Sequence, residues 1–162
     1  MRDTFLPYCR PAIGNDEVAA VVSSMRNGWL TTGPQTEAFE REFAQACGSP
    51  YAVALNSCTA GLHLALIALG VGPGDEVIMP SLTFVAGAQC TLEIGAKPVF
   101  CDVDPETLSA NLRTIGPLVT KNTKAIIAMP YGGRPLGIDD IVEFARPRGI
   151  AVLEDAAHGA GT

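Results

Sequence analysis

The chain has 162 residues, one ordinary domain's worth, of which 48% are hydrophobic and 17% charged. A charge fraction below the usual quarter leaves apolar surface for a further part of the protein or a second subunit to cover. The net charge is −6 and the basic residues are scattered, which argues against the Lys/Arg stripe that nucleic acid requires and against attraction to an anionic membrane.

The N-terminal MRDTFLPYCRP contains no apolar run followed by a cleavage site, so no secretory signal is read there. The most apolar stretch, residues 62–71, is too short to span a bilayer. The five cysteines, Cys9, Cys47, Cys58, Cys90 and Cys101, are odd in number and contain no C-x-x-C pair. They read as reduced, mostly buried thiols of a cytoplasmic protein, not as disulfides or metal ligands.

Residues 16–27 are expected to form a helix, with Val18, Val21, Val22 and Met25 on one face, Asn15 as N-cap and Gly28 as the stop. A breaker-rich loop follows at 28–34. A second helix is expected at 36–47, with Phe39 and Phe43 four apart and Gly48 ending it. Apolar strands then alternate with helices: strands at 51–55, 76–79, 98–101, 124–129 and 150–153, helices at 59–69, 83–94 and 138–146, and a short helix within an irregular stretch at 108–119. The strands lack in/out alternation, as expected when both faces of a sheet are covered. The fold class is therefore α/β, a mostly parallel sheet with helices on both faces. Residues 1–50 read as a helical segment with a loop, and 51–162 as the sheet-bearing part. The chain stops just after a strand, with no helix to cover it, which is an odd end for a complete domain.

Ligands of open α/β sheets bind beyond the carboxyl ends of the strands. The residues there are Asn56, Ser57, Cys58 and Thr59, then Ser81, Thr83 and Phe84, then Tyr131, Gly132 and Gly133, then Asp155 and His158. The turn at Ser57–Thr59 opens a helix, and a helix N-terminus suits a phosphate, although plain N-capping explains the same residues. Asp155 follows an apolar strand and precedes two alanines; a part-buried carboxylate needs a partner, either a protonated heteroaromatic nitrogen or a structural one. His158 is a donor to a ligand oxygen or a surface residue, and His63, among leucines, is structural. Phe84 stacks on a planar ring or joins the core. Trp29, in a glycine-flanked loop, lines a binding site or covers the core.

Six motifs occur in order: Gly28-Trp29-Leu30-Thr31-Thr32-Gly33-Pro34, Asn56-Ser57-Cys58-Thr59-Ala60-Gly61-Leu62-His63-Leu64, Gly72-Pro73-Gly74-Asp75-Glu76 running to Pro80-Ser81-Leu82-Thr83-Phe84, Gly95-Ala96-Lys97-Pro98 running to Asp104, Tyr131-Gly132-Gly133-Arg134-Pro135, and Glu154-Asp155-Ala156-Ala157-His158-Gly159. Together they resemble the DegT/DnrJ/EryC1/StrS aminotransferases, a branch of the fold-type-I enzymes that use pyridoxal 5'-phosphate, over nearly the whole chain.

The resemblance implies that Ser57, Cys58 and Thr59 hold the cofactor phosphate, Phe84 stacks on its ring, Asp155 pairs with the ring nitrogen and His158 approaches the phenolic oxygen. It implies that the loop bearing Trp29 and Thr31 borders the substrate. Such enzymes transfer an amino group, usually from glutamate, to a nucleotide-linked keto-sugar destined for polysaccharide, glycan or antibiotic, and they act as homodimers. They use a Schiff-base lysine downstream of the Asp155 motif. The only lysines here are Lys97, Lys121 and Lys124, expected at the opposite rim, so the chain reads as a fragment that lacks that lysine and the small C-terminal domain. Relatives with histidine in place of the lysine remove a sugar hydroxyl instead, and a non-catalytic phosphate-binding fragment is a further alternative. A dinucleotide-binding unit is disfavoured, because Asn56–Gly61 is not G-x-G-x-x-G.

Overall fold

The structure, a computed structural model, describes residues 4–5, 10–135 and 137–161. Cys9 and Thr162 lie outside the described residues. The chain divides into two compact units, Met1–Ala54 and Leu55–Thr162.

In the first unit, α1 spans Asn15–Arg26 and α2 spans Pro34–Ala46. The N-cap of α1 is Gly14, not Asn15: Glu17 reaches back and its Oε2 accepts the Gly14 N–H at 2.6 Å, so the helix starts one residue earlier than expected. The apolar face of α1 exists but is uncovered, with Val21 61% and Met25 62% exposed. Between the helices, Trp29 Nε1 donates to the Thr32 carbonyl at 2.9 Å. A side chain at Gly33 would overlap the Trp29 indole, so the glycine is what lets the ring fold back over its own loop. The Phe39 and Phe43 rings of α2 lie 5.6 Å apart, and the helix ends at Gly48 with φ +64°.

The second unit holds α3 (Cys58–Ala68), β1 (Glu76–Pro80), α4 (Ala86–Glu93), β2 (Lys97–Cys101), α5 (Leu112–Ile115), β3 (Thr123–Ala128), α6 (Ile138–Ala145) and β4 (Ala151–Glu154). Among the described residues the strands form one parallel sheet in the order β2-β1-β3-β4. Successive residues of β1 face opposite sides. Val77 and Met79 pack with Leu62 and Leu66 of α3, Cys90 of α4 and Ile127. Ile78 packs on the other side with Ile115 of α5, Ile126 and Ile141 of α6. Helices therefore cover both faces, and burial of each such Ile or Leu side chain contributes roughly 1.5–3 kcal/mol.

The expected strand at 51–55 is not formed. Tyr51 and Val53 are 84% and 74% exposed, and the Ala54 N–H donates to Glu40 Oε1 at 2.7 Å instead of to a ladder. A run with strand-like composition still needs a neighbour to pair with, and none is there among the described residues. The helix expected from 83 begins only at Ala86. At 108–119 the expected short helix is present as α5, followed by a 3-10 turn. Asp104 Oδ1 accepts the N–H groups of Glu106 and Thr107 at 3.0 and 3.2 Å, building a turn that competes with helix. The expectation of mostly buried cysteines also needs correction: Cys90 and Cys101 are buried, while Cys47 and Cys58 are exposed, and all four are free thiols.

Candidate active site

All strands being parallel, their carboxyl ends share one rim. Asp155 follows β4 directly, and its N–H donates to the Ala128 carbonyl at the end of β3, at 2.8 Å. This backbone bond extends the ladder by one residue and fixes where the carboxylate emerges. The Asp155 residue is 4% exposed. Its Oδ1 accepts the Ala157 N–H at 3.3 Å and the Cys58 S–H at 3.4 Å. Position 58 opens α3 and position 155 follows β4, so this bond brings the helix N-terminus and the buried acid together. Although the residue is exposed, partial desolvation of its sulfur, reinforced by the charge and hydrogen bond of Asp155, pushes the Cys58 thiol above its ordinary value.

Ser57 is the N-cap of α3, its Oγ accepting the Ala60 N–H at 3.1 Å. That settles its local role as a cap, and the remaining N–H groups of the first turn have no partner within the helix. The Thr59 carbonyl accepts the Cys90 S–H at 3.5 Å, tying α3 to α4. In the loop after β1, the Thr83 hydroxyl donates to Met129 Sδ at 3.0 Å, joining the ends of β1 and β3. Phe84, next to it, is 68% exposed. It is not a core residue, because α4 begins after it and leaves its ring outside the packed layer.

His158 is exposed, and its Nδ1 accepts the Gly132 N–H at 3.4 Å. Its ring meets the edge of Tyr131 at 5.9 Å. Gly132 has φ +63°, a conformation glycine adopts without strain. The sequence puts Tyr131 and Gly132 on the rim but does not show them against His158; the Tyr-Gly-Gly turn shortly after a strand is the available signal. His63 lies 3.9 Å from Glu93 Oε2 on the helical side, away from this cluster.

Trp29 and Thr31 belong to the N-terminal unit, where with Val21, Met25, Leu30 and Pro34 they line an open groove of about 560 Å³. Among the described residues no group of three His, Cys, Asp or Glu side chains is arranged to hold a metal, and no helix is long and apolar enough to cross a membrane.

The sequence profile of the DegT/DnrJ/EryC1/StrS aminotransferase family matches residues 11–162. The chain belongs to that family. Among similar solved structures is the aminotransferase TlmJ from Streptoalloteichus hindustanus, 40% identical over 96% of this chain and 43% of its own, with a TM-score of 0.90. An aminotransferase from Psychrobacter cryohalolentis is 36% identical over 98% of this chain and 40% of its own, with a TM-score of 0.90. NtdA from Bacillus subtilis, solved with its bound cofactor PMP, is 33% identical over 92% of this chain and 35% of its own, with a TM-score of 0.85. The chain thus spans well under half the length of these proteins. The sheet and its helices are those of the fold-type-I aminotransferases, and pyridoxal phosphate is the cofactor this membership supports.

The donor set fits that cofactor. A buried carboxylate suits a protonated ring nitrogen, and a helix N-terminus with the Thr59 hydroxyl suits a phosphate. The exposed Phe84 face suits a planar ring.

Proposed function

We propose that this chain builds the pyridoxal-phosphate cradle of an aminotransferase that moves an amino group from glutamate to a nucleotide-linked keto-sugar. The observation that carries the reading is the buried Asp155 carboxylate beside the N-terminus of α3, bonded through Oδ1 to Cys58 and Ala157. An acid removed from water needs a cation or a proton donor, and a pyridine nitrogen that keeps its proton is such a group.

Pyridoxal phosphate, when bound, supplies an electron sink for the carbon that bears the amino group. Asp155 holds the proton on the ring nitrogen. Thr59 and the first-turn N–H groups of α3, that of Cys58 included, receive the phosphate, with Ser57 fixing the turn. Phe84 covers one ring face and excludes water from it. His158 accepts at Nδ1 from Gly132, which leaves Nε2 as the donor nitrogen for the phenolic oxygen. Trp29 and Thr31 contact the sugar substrate.

Family membership supports the rest of the reading. Residues 1–50 carry the substrate-side loop and 51–162 part of the cofactor-binding domain. The protein works in the cytoplasm, as a homodimer, in the supply of amino sugars for polysaccharides and related products. The positions of the chain's three lysines support the reading that none of them is the cofactor lysine: Lys97 is the first residue of β2, Lys124 the second of β3, and Lys121 precedes it, all at the rim away from Asp155.

Equilibrium dialysis of pyridoxal phosphate against the chain and against Asp155→Asn tests the cradle. Saturable binding that weakens by about tenfold or more in the variant is expected for loss of a charge-assisted hydrogen bond. Equal binding by both proteins removes Asp155 from the site.

A further inference from the structure

The thiol of Cys58 stands at the first position of α3, where a side chain facing the phosphate would have served the cofactor directly. Its Sγ lies instead 3.4 Å from Asp155 Oδ1. A carboxylate has no proton to give, so the S–H is the donor. The Ala157 N–H reaches the same oxygen at 3.3 Å. Oδ2 takes neither bond. The Asp155 backbone is pinned separately, by its N–H to the Ala128 carbonyl at 2.8 Å. What remains to be fixed is rotation of the carboxylate about its own side chain, and two donors on one oxygen stop it.

We propose that Cys58 is a positioning residue for Asp155: its S–H, acting with the Ala157 N–H, turns the carboxylate so that Oδ2 is the oxygen presented to the cofactor's ring nitrogen. The role rests on the cofactor reading given above, although the thiol–carboxylate pair itself does not. It also links the two ends of the cradle. The residue whose backbone opens the phosphate-binding turn sets, through its side chain, the orientation of the acid at the other end. A shift of the α3 N-terminus therefore reaches Asp155 without passing through the sheet.

Two measurements test it. Carbamidomethylation of the Cys58 thiolate by iodoacetamide, with loss of iodide, followed across pH by peptide mass spectrometry without cofactor, reads the pair. The groups that act on this thiol are Asp155 and Cys90. In Asp155→Asn the onset of alkylation is expected to move to lower pH; superimposable profiles in the two proteins overturn the pair and the proposal. Equilibrium dialysis of pyridoxal phosphate then reads the positioning. Cys58→Ala is expected to bind about two- to tenfold more weakly, the scale of one modest hydrogen bond, and Cys58→Ser, which restores a donor, to recover most of that loss. Equal affinity in Cys58→Ala, or no recovery in Cys58→Ser, overturns the positioning role. If the unaltered chain binds no pyridoxal phosphate, the cofactor reading and the positioning role fall together, whereas the alkylation profile still reports whether the pair exists.

Discussion

Lys97 Nζ lies 2.9 Å from Glu76 Oε1, joining the first residues of the neighbouring parallel strands β2 and β1. The pair sits at the amino-terminal rim of the sheet, and Asp155 sits at the carboxyl-terminal rim, beyond β4. In the proposed cradle, a lysine that carries pyridoxal phosphate would stand beside the ring paired with Asp155.

Treating the chain with pyridoxal phosphate and borohydride, then mapping modified peptides, is accordingly expected to give no stoichiometric label at any one of Lys97, Lys121 and Lys124. A single lysine labelled to completion contradicts the placement of the cradle at the Asp155 rim.

Glu76 is buried, and its Oε2 accepts the Thr120 hydroxyl at 2.6 Å. That bond, followed by the one from Lys97, holds its carboxyl below the ordinary glutamate value. The stabilisation is complete above the unfolded pKa of about 4.3 and is lost as pH falls through the lower folded value. Asp104, held down by the N–H groups of Glu106 and Thr107 and by Arg113, loses its contribution in the same direction. Thermal midpoints measured from neutral to acid pH should fall below about pH 4, and Glu76→Gln should show a shallower acid fall than the unaltered chain. Parallel curves would remove Glu76 from the acid transition.

Phe84 separates binding from folding. With Phe84 68% exposed, Phe84→Ala should change stability by less than about 0.5 kcal/mol. Loss of a stacking face should weaken pyridoxal phosphate binding by about 1 kcal/mol, roughly fivefold. A large drop in thermal midpoint with unchanged binding would show a packing residue instead.

Much of this was legible in the residues because local rules governed it. Gly28 and Gly48 end α1 and α2 with positive φ, as their place after each apolar pattern implied. Continuous apolar runs marked β1 and β3, which are buried nearly throughout, and the polar residues after them mark the rim. What was not legible depended on partners. Residues 51–55 have strand composition and, among the described residues, no strand beside them. Phe84 was as good a core candidate as any phenylalanine until α4 began two residues later. The direction of Cys58 follows from how α3 packs against β1 and β3, and no spacing in the chain states that its thiol meets an acid ninety-seven positions away.

The most direct measurement is the nitrogen-15 spectrum of ring-labelled pyridoxal phosphate bound to the chain, at a pH where the free cofactor's ring nitrogen has lost its proton. The unaltered protein should show a pyridinium-type shift, and Asp155→Asn the shift of the neutral ring. A neutral ring in the unaltered protein, or the same shift in both, would contradict a carboxylate-held proton and with it the cradle described here.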